Sequence, residues 1–481
     1  MIFSVKKTFI PILCMVFLLY SCATKGKPPV ADDPVPDAVT VPPQSEVQEP
    51  VPPEPEEFTP SNFASDVSAK LDEGLFDEAL ELFEDIPAEY ADDKDLNYLH
   101  ASLLMSAGRV DQAEEAASAL LESDPKNTDL LFLNTLVAKA GGDSAKKSVL
   151  LKEILKIDPG NADANAELGN EQMKKKNFIL ARTYFQKSLA SAPDNPVAVT
   201  GYGQANYYIG NLKESRDAFL RLQEIDPKNS LSWAYLAKLD VEEDRYDLAA
   251  EHIQKALELD PAYYDYWIDY GDYLRRLGRP NEAINAWTEA IRLDSSYFLA
   301  YIYRGTLYEN LQRYKEAATD YRSAAKLNPS YYYVYESLGI LLWREKNWKE
   351  SRQAFYAAYE KNPSNISFIL MISACYQMEG NLQGNKEFLA QAIKRVTRNS
   401  LEYYVARLYH DRNGDNDVLV RIGKEPDLNK KGKMLFYIAQ FYLANGRSDL
   451  ANKYFLEVDL IQSPMFFEAR LAEWALGDAG V

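Results

Sequence analysis

The sequence predicts an all-α protein built as a solenoid, in which pairs of helices repeat along most of the chain. Three observations predict this class. Prolines recur every 34 residues, small residues recur at two fixed places in each interval, and a large apolar residue follows the second place by four positions. A fixed interval of this length is typical of repeat architectures, because one repeat buries its apolar face only against a neighbouring repeat.

The proline series marks the end of each repeat. Every step is 34 residues except one of 68, where Ser295 stands in place of proline. In six of the seven cases the preceding residue is Asp or Asn, which is typical of a helix end followed by a turn. The series consists of Pro125, Pro159, Pro193, Pro227, Pro261, Pro329 and Pro363.

The small residues indicate two amphipathic helices per interval, packed where only glycine or alanine fits. A break such as Gly210-Asn211 separates the two small places, and the large group that follows is aromatic in several repeats, as at Phe185 and Trp287. The first small place is held by Ala101, Gly169, Gly203, Ala237, Gly271, Gly305 and Gly339, and the second by Ala79, Ala113, Ala181, Ala249, Ala283 and Ala317.

These positions resemble the signature of the tetratricopeptide repeat family. The frame Ser230–Tyr263 carries most of it, in Trp233, Leu236, Ala237, Ala249, Ile253, Ala256 and Pro261. The resemblance implies a right-handed superhelix of helix-turn-helix repeats. It predicts nine repeats in one register over residues 60–365, the third of them weak because Thr135 and Lys147 hold its small places. Residues 366–481 are predicted to hold degenerate repeats, one recovered repeat at 432–463 and a closing helix at Phe466–Leu476.

The first 59 residues predict an export signal followed by a tether, that is, an extended spacer before the repeats. Residues 1–21 combine Lys6 and Lys7 with a short apolar stretch, and Ser21 directly precedes Cys22. This resembles a bacterial lipoprotein signal, which implies that Cys22 becomes the acylated N-terminus; an ordinary signal peptide beside a chance cysteine is the alternative. Residues 22–59 are rich in proline and acids, so we expect a disordered, extended spacer, with a proline-rich ligand as the other interpretation.

The resemblance also implies a concave groove lined by the first helix of each repeat. Aromatic residues and arginine are the types that anchor protein interfaces. At the positions that line the groove, this sequence places Tyr207, Tyr208, Lys238, Arg275, Arg276, Tyr333, Trp343 and Arg344. These are the predicted partner-binding residues. The alternative is a structural role, in which Arg275 and Arg276 pair with Glu242 and Glu309 and Trp343 packs between helices.

The composition argues against nucleic-acid binding and catalysis. The formal net charge is −19, whereas phosphate binding draws on Lys and Arg. The three histidines fall in three separate repeats, and we expect no catalytic residue, no cofactor and no metal. The oxygen-rich string Asp411–Asp417 lacks the glycine and glutamate of an EF-hand loop, so it is interpreted as a solvated loop. Cys375 is interpreted as a buried, inert thiol.

Taken together, the sequence predicts a lipid-anchored scaffold of the bacterial cell envelope. Its partners are expected to be other proteins of an assembly, secretion or cell-wall complex, and its N-terminal lipid would hold it on the inner or outer membrane. The alternative is an envelope protein that binds a non-protein ligand such as a glycan through aromatic residues of the groove.

Overall fold

The structure is a computed structural model that describes residues 58–480. The predicted signal sequence, Cys22 and the predicted tether up to residue 57 lie outside the described residues. Phe58, at the end of the predicted tether, packs against Phe63 and Tyr90 with ring centroids 5.5 and 5.0 Å away. The folded part of the chain therefore includes the last two residues that the sequence assigned to the spacer.

The regular structure of the described residues is helical, and the prediction of an all-α solenoid is confirmed. The described residues divide into two compact units, the first ending at Arg245 and the second beginning at Tyr246. In the first unit, two short 3-10 turns follow the second helix, at Leu82–Asp85 and Ala88–Tyr90. The α-helices of this unit are Pro60–Asp72, Phe76–Glu81, Lys94–Ser106, Val110–Ser123, Thr128–Ala140, Ser144–Ile157, Ala162–Lys174, Phe178–Ser191, Pro196–Tyr208, Leu212–Ile225 and Ser230–Glu242.

The second unit continues the same alternation of helices and adds a more irregular end. A 3-10 turn at Ile393–Arg395 interrupts it. Its α-helices are Tyr246–Leu259, Tyr264–Arg276, Pro280–Leu293, Phe298–Asn310, Tyr314–Leu327, Tyr333–Arg344, Trp348–Lys361, Ile366–Met378, Leu382–Ala392, Leu401–Asp411, Asp415–Gly423, Leu428–Ala444, Ser448–Asp459 and Glu468–Ala479. None of the described helices is long and apolar enough to cross a membrane.

Local signals at both ends explain why the helices recur in register. Asn161, Asn195 and Asn229 precede three successive first helices, and each side chain accepts a hydrogen bond from the backbone N–H of the third residue of its helix. Between the two helices of a repeat, the second residue after the first helix adopts a left-handed conformation at intervals of 34 residues, and Gly210 and Gly278 are two examples. Glycine adopts this conformation without steric cost, which favours a tight turn.

Five repeats confirm the predicted contact between a glycine at the first small place and a large aromatic ring. A Cβ atom added at Gly169 would lie 2.6 Å from the ring of Phe185, and one at Gly271 would lie 2.4 Å from the indole nitrogen of Trp287. Phe185 is fully buried and Trp287 is 1% exposed. Since interiors are close-packed, the glycine gives the helices room to approach over the aromatic ring.

The weak third repeat is closed by polar groups in place of small ones. Thr135 is buried and donates its hydroxyl to the carbonyl of Leu131 at 2.8 Å. Lys147 replaces the second small residue, and its ammonium lies 2.7 Å from the carboxylate of Glu171 and 3.2 Å from that of Glu167. The repeat is therefore retained because each buried polar group has a partner.

Candidate functional site

Three of the eight predicted binding residues lie in the first unit, and the structure brings them together around Tyr235. The ring of Tyr207 lies 5.7 Å from Tyr235 and 5.5 Å from Tyr208, while the Lys238 ammonium lies 5.6 Å from the Tyr235 ring. Tyr208 in turn stacks on Phe178 at 4.6 Å. We call these five residues, Phe178, Tyr207, Tyr208, Tyr235 and Lys238, the aromatic patch.

Three successive repeats of the first unit position the aromatic patch, and Tyr235 and Lys238 lie on the helix Ser230–Glu242 of the third. Tyr207 and Tyr208 end the helix Pro196–Tyr208, and Phe178 begins a helix of the preceding repeat. Tyr235 is buried and stacks on Phe219 at 4.6 Å, so it connects the residues of the patch to the core of the unit. Sequence reasoning missed Tyr235 because it is not one of the groove positions of the family.

The electrostatics of the aromatic patch combine apolar rings with both signs of charge. Tyr208 is 52% exposed, and the hydroxyl of Tyr207 donates to the carboxylate of Glu242 at 3.1 Å. Burial, and then the hydroxyl of Tyr208, raises the pKa of Tyr235 well above its usual value, so this phenol stays neutral. The patch offers flat aromatic surface, one ammonium and one carboxylate, a combination suited to a peptide or protein surface.

In the second unit, Arg275 and Arg276 are held by their own helix. Both pair with Asp272, at 2.6 and 2.9 Å, one turn earlier. The guanidinium of Arg276 also donates to the hydroxyl of Tyr246 at 3.0 Å. Glu309, one of the expected partners, instead accepts from the hydroxyl of Tyr321 at 2.8 Å. The interpretation that Arg275 or Arg276 pairs with Glu309 is therefore wrong, because a nearer carboxylate satisfies both arginines.

Tyr333 is the most exposed of the predicted aromatic residues, with 61% of its surface accessible. It stacks on Tyr332 at 4.1 Å, and together they belong to a row of aromatic residues at the starts of three successive repeats. Burial and then Asp265 raise the pKa of Tyr263, which begins the row. We call the following residues the tyrosine row: Tyr263, Tyr264, Tyr297, Phe298, Tyr331, Tyr332 and Tyr333.

Trp343 is a core residue and not a surface residue of the described structure. It is 7% exposed and meets Trp348 edge-on, with ring centroids 4.8 Å apart. The expectation that its indole is presented to a partner is corrected by this burial, and packing between helices, the alternative interpretation, is what the structure contains. An aromatic residue at a groove position does not distinguish the two outcomes, since both use the same residue type.

Arg344 is engaged by the closing helix, which lies at Glu468–Ala479 rather than at the predicted 466–476. Its guanidinium lies 3.1 Å from the carboxylate of Asp478 and 5.2 Å from the ring of Trp474. These two partners were missed by sequence reasoning, because they lie more than 100 residues away and outside the 34-residue register.

The histidine, carboxylate and cysteine residues of interest for catalysis or metal binding are buried or engaged in contacts within the fold. His100 stacks on Phe83 at 4.7 Å, and burial lowers its pKa. In the string 411–417, Asp411 and Asp417 pair with Arg407 and Arg421, and Asp415 accepts from Tyr442. Burial raises the pKa of the Cys375 thiol to about 12, which makes it a poor nucleophile. Among the described residues, no group of three or more His, Cys, Asp or Glu is placed to hold a metal.

The fold and these surfaces define a helix-pair repeat protein, and comparison with known families supplies the type of repeat. A tetratricopeptide repeat model matches residues 70–139, and a second model of the same description matches residues 166–230, 236–298 and 303–366. Together the matches cover more than half of the chain. The chain belongs to the tetratricopeptide repeat proteins. Repeats of this family generally form protein-interaction scaffolds, and this is the functional class of the chain.

Curated relatives share only part of their length with this chain. It is 26% identical over 182 residues to the DnaJ homolog subfamily C member 7 homolog of Schizosaccharomyces pombe, a match that covers 34% of this chain and 38% of the relative. It is 24% identical over 181 residues to the tetratricopeptide repeat-containing protein trd-1 of Caenorhabditis elegans, covering 37% of this chain and 23% of the relative. The chain thus spans well under half the length of both relatives.

Several solved structures are similar to a portion of the chain. PilW, described as a widely conserved type IV pilus biogenesis factor, has 18% identity and a TM-score of 0.38, covering 43% of this chain and 95% of PilW. YrrB, described as having an unusual peptide-binding site, has 18% identity and a TM-score of 0.33, covering 38% and 95%. MamA has 20% identity and a TM-score of 0.32, covering 34% and 91%. At these identities and TM-scores the similarity is one of fold alone.

Proposed function

We propose that this chain is a lipid-anchored scaffold of the bacterial cell envelope that recruits another protein of an assembly, secretion or cell-wall complex. The aromatic patch is the observation that carries the proposal. It joins three residues that the sequence predicts to bind a partner, and Tyr208 is half exposed within it. Tyrosine supplies a large contact area at a low cost in side-chain entropy, so an exposed pair of tyrosines is a suitable interface anchor.

The charges around the aromatic patch favour a protein ligand. Lys238 and Glu242 lie beside the rings, so the surroundings of the exposed Tyr208 combine apolar and charged groups. A polypeptide provides both kinds of group on one surface, and interface rims are mixed in this way. The family of the chain supports the same class of partner.

The test of the patch is capture of partners by in vivo crosslinking and mass spectrometry, comparing wild type with Tyr208→Ala and Lys238→Glu. Each substitution is expected to reduce the yield of the specific partner about tenfold, in line with roughly 1–2 kcal/mol for an interface anchor. Leu220→Ala is the matched control, since Leu220 is 47% exposed on another helix of the same unit. Partner yields equal to wild type in both patch variants would refute the patch.

The anchor is part of the proposal and rests on Cys22 and the sequence before it. Several acyl chains give durable membrane attachment, at about 0.8 kcal/mol per buried CH₂ group, whereas one chain does not. Metabolic labelling with a fatty-acid analogue is expected to mark the wild-type chain and not Cys22→Ala. Equal labelling of the two chains would contradict acylation at this residue.

The tyrosine row favours a second candidate, a glycan ligand. Its rings continue from repeat to repeat, with Tyr264 and Tyr297 at 5.3 Å and Phe298 and Tyr331 at 5.4 Å, and Tyr333 at its end is largely exposed. Sugar rings stack on such faces. Titration calorimetry with soluble peptidoglycan fragments tests this candidate: heat of binding that is lost in Tyr333→Ala supports it, and no heat with the wild-type chain removes it.

A further inference from the structure

The closing helix, Glu468–Ala479, has two faces with different surroundings. One face is buried: Glu468 and Ala472 have no exposed surface, and Leu471 and Leu476 are 1% and 5% exposed. This face packs into the same hydrophobic core as the helices Leu428–Ala444 and Ser448–Asp459. It attaches the closing helix to the end of the second unit, as expected of a terminal cap.

The other face carries Arg470, Trp474 and Asp478, which are spaced four residues apart and therefore lie on one side of the helix. Each of them contacts an earlier repeat of the second unit. The guanidinium of Arg470 pairs with Glu309, and the carboxylate of Asp478 lies 3.1 Å from both Arg344 and Lys346.

Trp474 occupies the space between these two ion pairs. Its ring lies 5.2 Å from the guanidinium of Arg344 and 5.0 Å from that of Arg470, and Tyr314 meets it edge-on at 5.2 Å. An indole placed between two guanidinium groups is a favourable cation–π arrangement. The contacts therefore form one surface with an arginine, a tryptophan and an aspartate on the helix side.

Glu309 and Arg344 are positions at which the family resemblance places a bound partner, the twelfth place of one repeat and the thirteenth of the next. In the structure the chain's own helix covers both. We propose that the closing helix is a resident ligand of this surface, and that a partner helix carrying arginine, tryptophan and aspartate at successive turns replaces it. This rests on the proposed function, because it assumes that the repeats bind protein.

The ion pairs of the closing helix are weak enough for a partner helix to replace it. The ion pairs are partly open to solvent, with side-chain exposures of 37% and 12% for Arg470 and Glu309, and 33% and 42% for Arg344 and Asp478. Pairs of this kind contribute little individually. The last repeat has its own helix pair, Leu428–Ala444 packed on Ser448–Asp459, so release of the closing helix does not require the unit to unfold.

The probe for this surface is a fluorescent peptide with the sequence of residues 466–480. The full chain with Arg470→Glu and Asp478→Lys has the receiving residues Glu309, Arg344 and Lys346 unchanged, but its own helix is no longer complementary to them. Fluorescence anisotropy is expected to show at least about tenfold tighter binding of the peptide to this variant than to wild type, since occupancy by the resident helix reduces apparent affinity in proportion. A peptide carrying the same two substitutions is the control and is expected to bind neither chain.

Hydrogen exchange measured on the same proteins shows whether the closing helix is released from the surface. The amides of the closing helix are expected to exchange faster in the double variant and to regain protection when Glu309→Arg is combined with Arg470→Glu alone. A helix that stays protected in the double variant, a peptide that binds wild type equally well, or a released helix with no peptide bound would each overturn the proposal. The measurements use purified chain and a synthetic peptide, so a missing lipid anchor or cellular partner would leave them unchanged.

Discussion

Gly271 lies on the helix Tyr264–Arg276 directly beneath the indole of Trp287, and its replacement by alanine tests the packing rule of the repeats. An added Cβ would lie 2.4 Å from the indole nitrogen, well inside the 3.4–4 Å of ordinary contact. The ring has no free space to enter, since it is 1% exposed and donates to the carbonyl of Ile268 at 3.2 Å. The substitution therefore forces a shift of the two helices or loss of this hydrogen bond.

The expected magnitude follows from three contributions. Overpacking a core costs about 1–3 kcal/mol, and loss of the indole hydrogen bond costs about 1 kcal/mol more. Alanine offsets about 1 kcal/mol of this because it favours a helix over glycine. Gly271→Ala is thus expected to destabilise the second unit by about 1–3 kcal/mol. In a Trp287→Leu background the obstruction is absent, so the same substitution is expected to stabilise by about 1 kcal/mol.

Urea unfolding combined with hydrogen exchange of the helix Tyr264–Arg276 measures this change of sign. A repeat array need not unfold in a single step. The comparison among the variants therefore uses the unfolding transition in which this helix loses its protection from hydrogen exchange. Gly477→Ala is the control: it lies in a helix with no atom within 4 Å of the added Cβ, so a gain of about 0.5–1 kcal/mol is expected. Stabilisation by Gly271→Ala in the wild-type background, or the same effect in both backgrounds, would refute the reasoning.

Three further substitutions test polar groups, two of them buried and the third, Glu336, half-buried. Lys147→Ala restores the small residue of the family but removes a partner of Glu171 and one of the two ion-pair partners of Glu167, which keeps Lys139, and we expect it to lower the free energy of unfolding of the first unit by about 2 kcal/mol in urea titration; a gain in stability would contradict this. Asn385→Ala also restores a small residue, but it deprives the Ser373 hydroxyl and the Tyr409 carbonyl of partners, at a cost of about 1–2 kcal/mol by the same assay. Burial and then Glu468 raise the pKa of Glu336, so the stability that its protonated form provides is present below the unfolded pKa and lost as pH rises through the folded pKa. Glu336→Gln is therefore expected to raise the urea midpoint more at pH 7 than at pH 4, and equal midpoint shifts at the two pH values would contradict the assignment.

Much of the fold was predictable because its signals are local. Asparagine caps, left-handed turn residues and the pairing of a small residue with an aromatic one all act within a single repeat or between adjacent repeats. The start of the first helix at Ala162, Pro196 or Ser230 follows directly from the 34-residue frame. Where the frame decays, local signals weaken as well, and the helix expected from Gly432 begins at Leu428.

The binding surfaces were less predictable because they depend on which way a side chain turns and on distant segments. Tyr207, Tyr208 and Lys238 do lie together, yet the residue that joins them, Tyr235, is a core position. Trp343 occupies a predicted groove position and is buried. A periodic pattern reports neighbours one repeat away, and it contains no information on a contact such as that between Arg344 and Asp478.

That contact also determines when the second unit can be completed. Arg470 reaches Glu309 across 161 residues, and Arg344 reaches Asp478 across 134. Most repeats instead contact the next segment of chain, and such local contacts form early and rapidly. As the chain emerges with its N-terminus first, the earlier repeats can therefore fold, whereas the surface around Glu309 and Arg344 remains uncovered until residues 468–479 have emerged. The time that residues 345–479 take to emerge is consequently an interval in which this surface is open to any other segment that fits it.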